Sequence, residues 1–156
     1  MAEYTYDVLK KYGPAAVEDN RHHKVTKALE DVTFINIAVT GVIANITKSF
    51  SQSALGHMMY DGVRTFFTQE AKDALHGEIV AVALFTQLYY NKLSEQKEQL
   101  KEFMRGMDMP LTLEELGVPC TEKNLKTLED YLIDSPYVDP SHESLALLHE
   151  AMKQMQ

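Results

Sequence analysis

Cysteine is almost missing from this sequence: Cys120 stands alone among 156 residues. That excludes an internal disulfide framework and any cysteine-based zinc module, and it fits a reducing compartment. Basic residues are also in short supply, with a formal net charge of −8. Nucleic acid and anionic lipid are therefore excluded as main partners, because those interfaces are built on clustered Lys and Arg. No apolar run approaches the roughly 20 residues needed to span a bilayer. The opening stretch MAEYTYDVLKKYGP lacks a basic segment followed by an apolar one, so the expectation is a cytoplasmic protein, intact at its start. A Gly-rich strand-to-helix turn for a nucleotide, a nucleophile elbow and a His-Glu-x-x-His zinc helix are all missing, and no catalytic residue is assigned.

What is present reads as helix nearly throughout. The chain has the length of one domain and an ordinary globular composition, and residues 1–156 are expected to form a single helical domain. Residues 3–12 predict a short helix stopped by Gly13-Pro14, with a longer helical stretch after it. TFINIAVTGVIANIT is rich in β-branched residues, but its length and neighbours favour a buried helix. Leu55, Met58, Met59, Val63, Phe66 and Phe67 recur at spacings of three and four, a helix for which Ser51 or Ser53 is the expected cap.

Further along, ALHGEIVAVALFTQL predicts a buried helix running on to about Leu93, and SEQKEQLKEFMRGM a half-solvated one. A short helical turn is expected over Thr112–Gly117. Two more helices come after it, begun at Thr121 and at Asp139-Pro140-Ser141. No hairpin signal or repeat interrupts this series, so the fold class is all-α, a multi-helix bundle.

Chemistry rests on histidine, of which there are six. His22 and His23 lie in a charged run, and His142 and His149 in a polar helix, all expected to be ordinary surface residues. His57 and His76 differ, because each stands at a helix start within an apolar sequence. Two neutral imidazoles presented by adjacent helix ends can share a divalent ion, with Asp61 and Glu78 as supporting carboxylates. Gly77 would allow close packing beside the imidazole, or the approach of a ligand.

The pieces HGEIVAVALFTQL, MDMPLTLEELGV, VTKALEDVTFINIAVTG and LGHMMYDGV, in that family's order, resemble the C-terminal helical domain of glycerol dehydrogenases in the iron-containing alcohol dehydrogenase superfamily. The resemblance implies a divalent metal, zinc or iron, held by an aspartate and two histidines, with His57 matching the first histidine and His76 the second. In that family the metal polarises the alcohol oxygen while NAD takes the hydride. The aspartate belongs to a helix that would precede Met1, and the family's NAD-binding α/β domain is not in this sequence. Tyr60 stands where a further histidine is usual, and SFSQSALG replaces a glycine pair.

The resemblance thus implies a stand-alone helical domain without activity by itself. It would be either one subunit of a split polyol dehydrogenase, with NAD supplied through a separate NAD-binding chain, or a degenerate remnant. The alternative is a helical protein-interaction module, assembling as a homo-oligomer or with another partner through exposed apolar surface.

Overall fold

The structure, a computed structural model, describes residues 1–47 and 54–156. It is all-α, with no strand among the described residues. The helices are α1 (Ala2–Arg21), α2 (Lys27–Phe34), α3 (Thr40–Thr47), α4 (Leu55–Phe66), α5 (His76–Tyr90), α6 (Lys97–Arg105), α7 (Glu122–Ile133) and α8 (His142–Met152). A π-helical turn, Ile35–Val39, joins α2 to α3 without a break. No helix among the described residues is long and apolar enough to cross a membrane.

The chain divides into two compact units, Met1–Gln52 with Gly106–Asp108, and Ser53–Arg105 with Met109–Gln156. In the first, α1 packs along α2. Here the helix expected to stop at Gly13-Pro14 instead runs on to Arg21 with Pro14 inside it. Proline costs a helix interior one backbone bond and a steric clash. Burial of Gly13 and Ala16 on the same helix keeps that turn in place. The true break comes at residues 22–26, where His23 takes φ 55° and the Thr26 side chain accepts the Leu29 N–H at 3.3 Å to start α2. Arg21 closes this unit by pairing with Asp108 at 2.9 Å and donating to the Met107 carbonyl at 3.0 Å.

TFINIAVTGVIANIT is helical, as its length and neighbours suggest, but it is not buried. Only Ile35 is enclosed, while Phe34, Ile37, Val42 and Ile46 are exposed. The β-branched residues that made the segment read as interior lie on an uncovered face.

The hydrophobic core lies in the second unit. Helix α5 is apolar on all sides because α4 and α8 both pack on it, together with the 3-10 turn at Lys153–Met155. Its Ile79, Val82 and Phe85 are enclosed, as are Met59 and Val63 of α4, Leu128 and Leu132 of α7, and Leu148 of α8. The apolar periodicity of α4 holds in detail: Leu55, Met59, Val63 and Phe67 are buried, while Phe66 is the exposed one.

Glycine sets the closest approach, since a Cβ on Gly62 would stand 3.0 Å from the Tyr131 ring of α7. Thr121 and Ser141 cap α7 and α8 as expected, accepting from Asn124 and Ser144. The N-cap position of α4 falls on Ala54, which offers no side-chain bond. Ser51 and Ser53 lie outside the described residues. Helix α5 ends at Tyr90, short of Leu93, because Lys92 adopts φ 59°. Thr112–Gly117 is a hydrogen-bonded turn, not a helix.

Candidate functional site

Both histidines singled out in the sequence sit at helix N-termini in the second unit, His57 in the first turn of α4 and His76 at the first residue of α5. The fold brings them side by side, with ring centroids 5.8 Å apart and ring planes inclined by 53°. The Tyr60 ring lies against His76 at 4.2 Å. The expected apolar enclosure is not found: His57 is half-buried and His76 exposed. A helix start carries free backbone N–H groups that must reach water or a cap, so it tends to lie at the surface of the core.

Two residues build this arrangement without announcing themselves in the sequence. The Gln87 amide oxygen accepts the Gly56 backbone N–H at 3.0 Å, which fixes the first turn of α4 against α5 immediately beside His57. A Cβ on Gly56 would lie 3.6 Å from the Val80 carbonyl oxygen, so the two helices meet at van der Waals distance. The Arg64 guanidinium donates to the carbonyls of Ala71 and Ala74, at 2.8 and 2.6 Å, and so pins the turn that delivers His76. Neither contact has a local sequence signature, since 31 residues separate Gln87 from Gly56. Gln87→Ala is expected to lower stability by about 1 kcal/mol, the worth of a helix-start acceptor, measured as a fall of about 2–4 °C in thermal unfolding.

Glu78 serves the helix itself, since its carboxylate accepts the Leu75 N–H at 2.7 Å and secures the start of α5. Asp61 is exposed, and its backbone carbonyl accepts from Thr65. Gly77 is exposed and a Cβ there would meet nothing within 4 Å, so close packing among the described residues is not what it serves. Of the other histidines, His22 pairs with Glu18 at 2.8 Å. His149 does more than its polar surroundings suggest, because its Nδ1 lies 3.0 Å from the carboxylate of the buried Glu129, which Lys126 also approaches at 3.4 Å.

The donor set answers part of what a divalent metal requires. Structural and catalytic zinc sites take three or four protein ligands. Here two imidazoles converge, but among the described residues no group of three His, Cys, Asp or Glu side chains comes close enough to hold an ion. The described residues therefore do not complete a metal site.

No family model matches the chain. It is 30% identical over 122 residues to glycerol dehydrogenase 1 of Schizosaccharomyces pombe, a match covering 76% of this chain and 26% of that protein. With the glycerol dehydrogenase of Thermotoga maritima the identity is 26% over 121 residues, covering 76% and 31%. Among solved structures, a probable glycerol dehydrogenase from Sinorhizobium meliloti superposes with a TM-score of 0.81 at 20% identity, over 99% of this chain and 44% of that one. The S. pombe enzyme gives 0.77 at 24%, over 97% and 39%. The fold is thus that of a part of these proteins, and the chain spans about a quarter to a third of the length of the curated relatives it matches.

Proposed function

We propose, from the premise that this chain is related to glycerol dehydrogenases over three quarters of its length, that it is the histidine-bearing helical part of a metal- and NAD-dependent polyol dehydrogenase and is inactive alone. The NAD site and the remaining metal ligand come from outside the described residues, in a separate NAD-binding chain or in further sequence. The observation behind this reading is the His57–His76 pair, whose rings stand 5.8 Å apart on two adjoining helix starts.

In such an enzyme a bound divalent ion supplies Lewis-acid polarisation of the alcohol oxygen. The contribution of this chain is positional: Gln87 and Arg64 hold two neutral nitrogen donors in place. Tyr60 lies over His76 and limits the directions from which a third ligand can reach it.

Zinc, added to protein purified without chelators, tests this directly. At a zinc concentration near 100 times the dissociation constant, linkage adds about 2.7 kcal/mol, which for this chain length is a rise of roughly 5–10 °C in thermal unfolding. His57→Ala and His76→Ala are each expected to abolish the rise, and His142→Ala to leave it intact. Wild-type protein whose unfolding ignores zinc and which holds no metal by elemental analysis would sink the proposal and favour the degenerate remnant.

A further inference from the structure

Among the described residues eleven large apolar side chains are exposed, and eight of them belong to the first unit, which supplies about a third of the chain. Four lie along the continuous helix from Lys27 to Thr47: Phe34, Ile37, Val42 and Ile46, at 64, 73, 44 and 68% exposure. Ordinary surfaces carry single exposed apolar residues, whereas a strip along one helix marks a contact.

Near the middle of the strip stands Gly41. Glycine inside a helix costs about 1 kcal/mol compared with alanine, and it persists where something must come close. Among the described residues nothing does, because a Cβ on Gly41 would meet no atom within 4 Å.

Charge favours a particular occupant. The first unit holds six Lys and Arg against seven Asp and Glu, and the second holds nine against sixteen. The acidic excess is therefore carried almost wholly by the second unit. Two copies of an acidic chain repel least where they meet through their nearly neutral parts.

We propose that the α2–α3 strip is a self-association face, on which a second copy of this chain packs by an antiparallel helix crossing centred near Gly41. A two-fold contact is self-complementary, so the Phe34 end of one strip meets the Ile46 end of the other. The lack of a side chain at the crossing lets the two backbones approach. The four strip residues offer apolar surface on the order of 400 Å² per copy. Tyr4 adjoins them, lining with Phe34 a groove of about 300 Å³. Together these bring the pair near the roughly 1,000 Å² that a specific interface needs. This inference stands on the first unit alone and does not depend on any metal at His57 and His76.

Sedimentation equilibrium across the micromolar range tests it. Wild-type protein is expected to be a dimer, and an Ile37→Asp, Ile46→Asp double variant a monomer with unchanged helical circular dichroism. Gly41→Leu provides the second arm: leucine is the better helix former, so on a free surface it would raise the unfolding temperature and leave the mass unaltered. At a close crossing it would weaken dimerisation at least tenfold. A wild-type monomer at every concentration, or a dimer indifferent to these variants, overturns the proposal.

Discussion

Gly117→Ala is expected to destabilise the protein by roughly 3 kcal/mol, combining left-handed backbone strain with overpacking. For a domain of this length that is a fall of about 6–12 °C in calorimetric unfolding temperature. Gly117 has φ 91°, and a Cβ there would stand 2.3 Å from the Glu70 carbonyl oxygen. Backbone is the obstacle, so no side-chain rotation relieves it. Gly117→Asn separates the two causes: asparagine tolerates positive φ better than alanine, yet it meets the same carbonyl and should recover little of the loss. The Glu70 segment leads into the turn pinned by Arg64 and then to His76. Movement there should also shift the His76 ring signals in an NMR spectrum, while His149, anchored on Glu129, keeps its own.

Phe85→Ala is expected to cost about 3–5 kcal/mol, the range for deleting a buried aromatic side chain, measured by denaturant unfolding as a lower midpoint with an unchanged slope. Phe85 is fully enclosed on α5 and heads the fully buried side chains by size. Its ring also receives the ammonium groups of Lys97 and Lys101, 5.9 and 5.6 Å from the centroid. Burial and the neighbouring Lys101 lower the Lys97 pKa, consistent with two cations drawn together over one ring. Phe85→Leu keeps most of the volume and forfeits the ring, so the difference between the two variants separates packing from the cation contacts.

The all-α class was legible because turn chemistry and apolar spacing agreed along most of the sequence. Thr121 and Ser141 announced their helices, and the three-and-four spacing of Leu55, Met59 and Val63 did name the buried face of α4. Local rules failed where tertiary burial outweighed them. Pro14 reads as a stop, but Gly13 and Ala16 beside it are buried and the helix continues.

Composition misled at the α2–α3 helix, because apolar residues record that a surface is to be covered without recording by what. The two histidines were found in sequence as a pair of helix starts, and the fold places their rings together. Their exposure, and the part played by Gln87 and Arg64, depend on contacts that only the folded chain creates.

The π-helical turn Ile35–Val39 has a consequence at the level of the gene. A π turn accommodates one residue more than an α-helical turn, and each residue of an α-helix advances the chain by about 100°. Loss of a single codon within 35–39 would let the segment relax into an uninterrupted α-helix, turning Val42 and Ile46 by about that angle away from Phe34. The strip would be cut in two while every one of its side chains remained in the protein. In this stretch the register of the chain, more than its composition, is what selection has to hold.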